Sequence, residues 1–403
     1  MKTITESLSK DRIRYDLSLL GRPEDILFLD IETTGFAARS SQLYMIGCVD
    51  FDSEANPRII QFFAEEANDE KQILSAFLNL CSSKKVLIHY NGNNFDIPYL
   101  KQKCFSFGFD EPFSKMDGVD IYKRIMPYKR ILGVENLKQK TMEQFLSISR
   151  EDAYNGGQLI NVYRDYVAQN ALCKKLSGIK NTDSKELAAL DARIKDMAEL
   201  LFLHNADDMR GMLSLLSLLA YADIFLQPSK ITKVSARKLT DPDGSIHQTL
   251  VIRLRLTSSL PRELTINTGN IRLLGSDNEI TLDISIYSGE LKYFYGNYKD
   301  YYYLPDEDMA LHKSVAAYVS PDHRTQATAH DCYTRKEGSF LPQWELLFEP
   351  VFKHSYEDSL LYFELTPELK KRPDQFKKYA DHVLDYLFHS LSESKNAPSK
   401  QMR

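Results

Sequence analysis

The chain has 403 residues, a formal net charge of −5 and an apolar fraction of 43%. This length exceeds one typical domain, and the apolar fraction is enough for ordinary hydrophobic cores, so we expect two globular domains. Five scattered cysteines without a C-x-x-C pair argue against a disulfide framework and a structural zinc site. The acidic charge argues against a protein that coats nucleic acid, but an enzyme that handles nucleic acid in a cleft needs only a local basic lining.

The sequence contains no obvious membrane or leader segment. Its first 20 residues have no apolar leader core, and no later run reaches the roughly 18 to 20 uninterrupted apolar residues of a membrane helix. We therefore expect a cytoplasmic protein that has no membrane partner.

The first half of the chain has the pattern of an α/β domain. Residues 1–24 are polar and predict a helical or irregular lead-in. Three successive strands and then alternating helices and strands predict a mixed sheet flanked by helices. The predicted strands are 26–32, 43–51, 58–63, 86–91 and 118–125, and the predicted helices are 69–81, 97–107, 136–146, 158–171, 183–203 and 199–225.

The composition becomes β-type near residue 230, which predicts a smaller β-rich α+β domain. Its predicted strands are 230–239, 245–256, 264–267, 280–287 and 290–295, with a strand-like segment at 348–365 and helices at 309–318 and 373–392. We assign residues 1–228 to the first domain, with its core at 25–225, and residues 229–392 to the second. Residues 393–403 form a polar tail that we expect to be disordered.

Asp30 and Glu32 end an apolar run, ILFLDIETTG, at residues 26–35. Residues two apart in a strand project from the same face, so both carboxylates would leave the same side of one rigid element. Two like charges at the end of a core strand repel each other and resist burial unless a cation or solvent compensates them. The pair suits a divalent-metal site, although an Asp-x-Glu at a strand end is, taken alone, more often a solvated edge.

Asp96 ends a second polar segment, HYNGNNFD at residues 89–96, where a predicted strand gives way to a helix. A carboxylate at the start of a helix is most often a cap. Because capping and metal binding do not exclude each other, Asp96 is a further candidate ligand.

His204 and Asp208 lie in the segment HNADD of a strongly apolar helix. Their spacing places both on one face of that helix, whereas Asp207 points about 100° away from Asp208. A charge in such surroundings is costly without a partner. His204 is therefore either a core histidine with satisfied hydrogen bonds or part of a site, and Asp207 stays an alternative to Asp208 as a ligand.

These three segments occur in the order of the motifs of the DEDD-type 3′-to-5′ exonucleases. They read Asp30-Ile-Glu32, Asn91-Gly-Asn-Asn-Phe95-Asp96 and His204-Asn-Ala-Asp-Asp208. Over about residues 25–225 the chain resembles this superfamily, most nearly the ribonuclease H-like domain of bacterial YprB-type proteins. It departs from the family in one respect: His204 stands at the distance from the last aspartate at which the family usually has a tyrosine.

The resemblance implies a ribonuclease H-like mixed β-sheet flanked by helices, and a two-metal site. Two Mg²⁺ or Mn²⁺ ions would activate the attacking water and stabilise the leaving 3′ oxygen, with His204 orienting or deprotonating that water. The implied metal ligands are Asp30, Glu32, Asp96 and Asp208. The terminal nucleotide would be contacted by Thr33, Thr34, Gly35, Asn91 and Asn94. In the family the position of Asp120 lies off the metals, so we expect Asp120 to be structural.

The leading hypothesis is a metal-dependent nuclease that trims the 3′ end of single-stranded DNA or RNA, with the β-rich domain positioning the substrate or a partner. One alternative is a non-catalytic ribonuclease H-like module that binds nucleic acid or protein. The other is a structure-selective endonuclease that uses the same chemistry.

Overall fold

The computed structural model describes residues 1–152, 154, 156–178, 184–226, 229–240 and 246–393. Within it the chain divides into two compact units, residues 1–222 with 258–261 and residues 223–257 with 262–403. The predicted domain division at residues 228/229 stays a prediction. The tail expected to be disordered lies, beyond residue 393, outside the described residues.

The first unit is built on one mixed sheet, as predicted. Its strands are β1 (Lys2–Ser7), β2 (Ile26–Thr33), β3 (Leu43–Phe51), β4 (Pro57–Phe63), β5 (Val86–His89) and β6 (Asp117–Asp120). Their order across the sheet is β1-β4-β3-β2-β5-β6. Neighbours from β1 to β2 pair antiparallel, whereas β2, β5 and β6 pair parallel. The α/β fold class is therefore confirmed.

Strands β2 and β3 occupy the centre of this sheet because they are apolar on both faces. Ile26–Leu29 of β2 and all of β3 are buried. A strand that is buried on both faces needs helices above and below it. The polar residues of β2 come only at its carboxyl end, and this places Asp30 and Glu32 at one edge of a rigid layer.

Helices cover the sheet of the first unit. The helices up to the division of the chain are α1 (Glu70–Cys81), α2 (Asp96–Phe107), α3 (Ile121–Ile125), α4 (Lys129–Leu132), α5 (Gln139–Phe145), α6 (Gly156–Ser177) and α7 (Ser184–Leu215), and the division itself falls within α8 (Leu219–Leu226). Helix α7 contacts β2, β3 and β4, so its residues face the central strands directly.

By length and composition alone, the stretch Ser184–Leu226 would pass as a membrane span, and 78% of its most apolar window is buried inside the protein. The core helix of a folded domain meets the same criterion, so this stretch is weak evidence for a span. The cytoplasmic location expected from the sequence stays a prediction.

Two local predictions in this unit are wrong. Residues 2–7 are not part of a helical or irregular lead-in but form β1, which pairs with β4 in register Lys2↔Phe63. β1 is an edge strand whose residues are mostly polar and exposed, so its sequence lacks a clear alternation of apolar and polar residues. The strand predicted at 118–125 ends at Asp120, whose side chain accepts a hydrogen bond from Lys123 N–H and starts α3.

The second unit is β-rich, as predicted. Its strands are β7 (Lys230–Thr240), β8 (Ile246–Arg255), β9 (Leu264–Thr268), β10 (Ile271–Ser276), β11 (Glu279–Phe294), β12 (Tyr301–Leu304), β13 (Met309–His312), β14 (Thr325–Gln326), β15 (Tyr333–Gln343) and β16 (Leu361–Glu364), and its helices are α9 (Lys313–Ala316), α10 (Pro367–Lys370) and α11 (Pro373–Glu393). The described strands form a seven-stranded and a three-stranded sheet.

Several boundaries in this unit differ from the prediction. The strands predicted at 280–287 and 290–295 are one strand, β11, which pairs with β8 and β10 in its first half and with β15 in its second. The helix predicted at 309–318 is strand β13 followed by the short α9. Tertiary pairing decides these cases, because the local composition suits either structure.

Candidate active site

Asp30 and Glu32 project from the carboxyl end of β2 into a cluster of acidic side chains. Burial, and then the charges of Asp208, Glu32 and Asp96, raise the pKa of Asp30 well above its ordinary value. Burial, and then the charges of Asp208 and Asp96, raise the pKa of Glu32 in the same way. The carboxylates therefore lie close enough to repel each other, as the sequence predicted for the pair on β2.

Asp96 joins this cluster from the first turn of α2. The residue that precedes the helix, Phe95, provides no side-chain cap. The Asp96 carboxylate instead accepts a hydrogen bond from Ile31 N–H at 3.2 Å, between the two acidic residues of β2. Burial raises its pKa to about 7. Asp96 thus reaches across to the strand rather than only capping its own helix.

His204 and Asp208 enter the cluster from α7. His204 is 4% exposed, yet its Nε2 lies 3.3 Å from Asp208 Oδ2 and 3.6 Å from Glu32 Oε1. Glu32, His204 and Asp208 can each offer a ligand atom, and these atoms all lie within 4.8 Å of one another. His204 is therefore more than a buried core histidine, because its Nε2 faces the carboxylates of Glu32 and Asp208.

Asp207 faces away from this cluster. One of its carboxylate oxygens accepts hydrogen bonds from Glu151 N–H at 2.8 Å and Asp152 N–H at 2.9 Å, and the other accepts one from Arg210 at 2.9 Å. One oxygen thus fixes the segment that precedes α6, and the other binds Arg210 on the same helix as Asp207. The structure gives Asp207 a structural role and directs Asp208 at the other carboxylates.

Asp152 was not singled out by the sequence. It lies in the polar segment before α6, and its Oδ2 is 2.6 Å from His204 Nδ1. Burial alone would raise the pKa of Asp152, but hydrogen bonds from Tyr154 N–H and His204 hold it below its ordinary value. Lys140 adds a positive charge 3.7 Å from the same carboxylate. The imidazole is therefore held from behind by an acidic side chain.

Arg150 is the second residue that the sequence did not reveal. Its Nη1 donates hydrogen bonds to Asp208 Oδ1 at 2.7 Å and to both carboxylate oxygens of Glu143, at 2.9 and 3.0 Å. Its guanidinium side chain is 11% exposed. No spacing rule links residues so far apart in the chain, so only the fold brings Arg150 to Asp208.

Asn205, next to His204 on α7, supports Asp30 and was also missed. Its amide donates a hydrogen bond to Asp30 Oδ2 at 3.0 Å, and its carbonyl oxygen accepts one from Gln61 at 3.0 Å. Asn205 is fully buried. It lies over Gly47 of β3, which pairs with Asp30 in the sheet.

The predicted substrate residues of the first motif form a tight turn after β2. Thr33 Oγ1 donates to Gly35 O at 2.9 Å, and Thr34 Oγ1 accepts from Gln42 N–H at 2.9 Å. Phe36 follows this turn and is 91% exposed, with its ring edge-on to Phe95 at a centroid distance of 6.0 Å. An aromatic ring is thus presented to solvent beside the turn, and the sequence analysis did not select it.

The loop of the second motif is held by Asp120. The Asp120 carboxylate accepts hydrogen bonds from Asn91 N–H at 2.9 Å and Asn93 N–H at 3.3 Å, which is the structural role expected for it. Asn91 adopts a left-handed backbone with φ of 61°, a conformation that asparagine tolerates better than most residues. Asn94 donates to Asn91 Oδ1 at 2.6 Å. Contact of Asn91 and Asn94 with a nucleotide stays a prediction.

Comparison with known protein families gives a match within the first unit. Residues 27–220 match the family model of the RNase H superfamily. They form an RNase H-like domain. No curated protein matches the chain.

Among solved structures, the chain is similar to E. coli exonuclease I in complex with a dT13 oligonucleotide, at 12% identity and a TM-score of 0.25, over 57% of this chain and 54% of that chain. It is also similar to the zinc-bound form of the E. coli exonuclease I complex with single-stranded DNA, at 11% identity and a TM-score of 0.27, over 91% of this chain and 71% of that chain. The chain thus spans about half the length of the exonuclease bound to dT13. Likenesses this low carry no argument about activity.

The donor atoms of the RNase H-like domain suit a hard divalent ion. Four carboxylates and one imidazole meet at the end of β2, and oxygen ligands of this kind select Mg²⁺ or Mn²⁺. The raised pKa values of Asp30, Glu32 and Asp96 show how costly it is to ionise these groups together without a cation. The residues present therefore fit a divalent-metal site, and occupancy by two ions stays a prediction.

Gly47 tests the support of Asp30. A Cβ at position 47 would overlap the Asn205 side chain, so we expect Gly47→Ala to cost about 1 to 3 kcal/mol of stability and to weaken Mn²⁺ uptake by displacing Asn205 from Asp30. Urea unfolding and calorimetric titration measure the two effects. Gly118→Ala in β6 is the matched control, because a Cβ there meets nothing within 4 Å. Equal behaviour of the two variants would contradict this role of Asn205.

Proposed function

We propose that the RNase H-like domain is a metal-dependent nuclease that hydrolyses phosphodiester bonds, and specifically a 3′-to-5′ exonuclease acting on single-stranded nucleic acid. One observation carries the proposal. Asp30, Glu32, Asp96 and Asp208 come from β2, α2 and α7, far apart in the sequence, and converge where the charges of Asp208 and Asp96 add to burial in raising the pKa of Asp30 and Glu32. Ionising these four carboxylates together costs free energy, and bound cations would offset that cost.

In this proposal the four carboxylates hold two Mg²⁺ or Mn²⁺ ions. When bound, the ions would supply activation of the attacking water and stabilisation of the leaving 3′ oxygen. The chain's own part is to hold the ligands rigidly: Ile31 N–H orients Asp96, Asn205 orients Asp30, and Arg150 orients Asp208. His204, whose Nε2 faces Glu32 and Asp208, belongs to the same centre.

The substrate side of the proposal rests on the turn after β2. Thr33 Oγ1 donates to Gly35 O, and Thr34 Oγ1 accepts from Gln42 N–H, so hydrogen bonds hold the turn as a rigid floor. Phe36 extends from it into solvent. Exposed aromatic rings stack on the bases of single strands irrespective of sequence, and a paired base offers no free face to such a ring except at an end. This favours a single-stranded substrate over the interior of a duplex.

Phe36→Ala tests this stacking role. Loss of one base–aromatic stack is worth about 1 to 3 kcal/mol, so we expect KM for an oligonucleotide to rise by about 5- to 150-fold. The melting temperature should not change, because the ring is 91% exposed. Mn²⁺ uptake should not change either, because a phenyl ring offers no ligand atom. Phe105→Ala removes another exposed ring, 81% exposed at the end of α2, and should leave KM unaltered. A KM unchanged in Phe36→Ala would contradict the stacking role.

The assay for the proposed function uses the full chain with Mg²⁺ or Mn²⁺ and oligonucleotides of DNA and RNA, labelled at either the 5′ or the 3′ end, with chelator controls. We expect a ladder of stepwise shortened products from 5′-labelled strands and release of single nucleotides from 3′-labelled strands. Discrete internal cuts would favour the endonuclease alternative. Binding without cleavage of any substrate would refute the proposal in favour of a non-catalytic module.

A further inference from the structure

We propose that His204 is itself a metal ligand through Nε2, held in position by Asp152, and that the ion between Glu32 and Asp208 therefore has one nitrogen ligand. This inference rests on the proposed function and assigns His204 a different role from the general base that the family resemblance implies. Asp152 is then a positioning residue that acts through His204.

The distances around Nε2 match those between ligands of one ion. Two donor atoms at about 2.1 Å from a metal, separated by an angle of about 90° to 110°, lie roughly 3.0 to 3.4 Å apart. His204 Nε2 is 3.3 Å from Asp208 Oδ2 and 3.6 Å from Glu32 Oε1. The ring nitrogen thus lies among the ligand oxygens, where a small closure around an ion brings all three into contact with it.

The other ring nitrogen is fixed by Asp152. A carboxylate oxygen 2.6 Å from Nδ1 requires the ring to donate a proton there, since a carboxylate can only accept. In the neutral ring Nε2 then carries a free lone pair that points at Glu32 and Asp208. A carboxylate behind a histidine is the usual outer partner of a metal-bound imidazole, because it fixes the ring orientation and makes the ligating nitrogen more basic.

Asp152 is itself held rigidly, which strengthens this interpretation. Its Oδ1 accepts a hydrogen bond from Tyr154 N–H at 2.9 Å, and its own N–H donates to Asp207 at 2.9 Å. The Asp152 side chain is fully buried. The pair of His204 and Asp152 is therefore preorganised, and Nε2 is held toward Glu32 and Asp208.

The position of His204 on α7 explains why it differs from the family pattern. His204 and Asp208 lie one helical turn apart, so their side chains approach one region of space. A ligand needs this proximity, whereas a base must reach the attacking water from outside the ligand shell. An imidazole among the ligands also favours Mn²⁺ and later transition ions over Mg²⁺, which prefers oxygen alone.

The test is pulsed electron paramagnetic resonance of the full chain with substoichiometric Mn²⁺, without any nucleic acid. We expect the nitrogen modulation of a directly coordinated imidazole in the wild type and its loss in His204→Gln. His330→Gln, at an exposed histidine of the second unit, should keep the signal. Calorimetry should show Mn²⁺ affinity reduced about 10- to 100-fold in Asp152→Asn, with folding of each variant checked by circular dichroism.

The outcomes separate this inference from the proposed function. Stoichiometric Mn²⁺ uptake without nitrogen modulation would overturn the assignment of His204 as a ligand and leave the nuclease proposal intact. Modulation that persists in His204→Gln would also overturn it. Failure of Mn²⁺ to bind at all would overturn the inference, whereas the nuclease proposal is decided separately by cleavage of labelled oligonucleotides with Mg²⁺. Nitrogen modulation lost only in His204→Gln would establish the ligand.

Discussion

Asp30→Asn is expected to reduce metal-dependent hydrolysis by about 10³-fold, since a metal ligand supplies several kcal/mol of transition-state stabilisation. The same substitution should raise the melting temperature of the metal-free protein. Burial and the charges of Asp208, Glu32 and Asp96 raise the pKa of Asp30, so the neutral amide removes a repulsion that the wild type carries. If Asp30→Asn is inactive but more stable than the wild type, its loss of hydrolysis is due to the missing ligand and not to unfolding.

The pH dependence of this stabilisation follows from the same pKa shifts. Folding raises the carboxyl pKa values of Asp30 and Glu32, and that of Asp96 to about 7, from an ordinary value near 4. Between these values the folded state binds more protons than the unfolded state, so the stability of the metal-free wild type falls as the pH rises. The gain from Asp30→Asn should therefore be small at about pH 4 and larger at about pH 8.

Differential scanning calorimetry in chelator, and again with Mn²⁺, measures these effects. Mn²⁺ should raise the melting temperature of the wild type at about pH 8 and should raise it much less in Asp30→Asn. Asp117→Asn, at an exposed position in β6, is the matched control and should behave as the wild type. The metal-site interpretation fails if Asp30→Asn destabilises the metal-free protein and keeps its response to Mn²⁺.

Substitution of the neighbouring residues Asp207 and Asp208 by asparagine should have opposite consequences. Asp207→Asn is expected to cost about 3 kcal/mol of stability, because an amide cannot accept from two backbone N–H groups on one side and from Arg210 on the other. Asp208→Asn should be milder for stability, since Glu143 still binds Arg150, but should reduce hydrolysis by about 10³-fold.

Urea unfolding and hydrolysis rates, measured well below each melting temperature, compare this pair directly. Each variant is the control for the other, because the two changes are chemically identical and adjacent on one helix. An Asp207→Asn protein that is stable but inactive, beside an active Asp208→Asn protein, would reverse the assignment of the ligand.

The sequence predicts the part of this molecule that local patterns determine. The apolar run before Asp30 and the helical spacing of α7 specify their elements, and three short motifs indicate which acids meet. Each motif joins a strand or helix signal to a carboxylate, at the end of β2, at the start of α2 and within α7, so the type of element and the candidate ligand are found together.

Other features have no local signal. Arg150 and Asp152 lie in a short polar segment without periodicity, and tertiary contacts with Asp207, Asp208 and His204 bring this segment to α7. Strand β1 is recognisable only through its pairing with β4. The role of Asn205 depends on the absence of a side chain at Gly47 on another element. In each case the deciding contact joins residues that are distant in the chain.

The cationic partners of the acidic cluster also set its formal charge balance. Four carboxylates form the cluster and two more lie beside it, and the two cations Arg150 and Lys140 contact members of this group. The six carboxylates are those of Asp30, Glu32, Asp96, Asp208, Asp152 and Glu143. With His204 neutral and every carboxyl ionised, four negative charges are left over, which equals the charge of two divalent ions. If the proposed function holds, an anionic strand would meet a repulsive centre before two divalent ions bind and a neutral one afterwards, so we expect metal to bind ahead of nucleic acid.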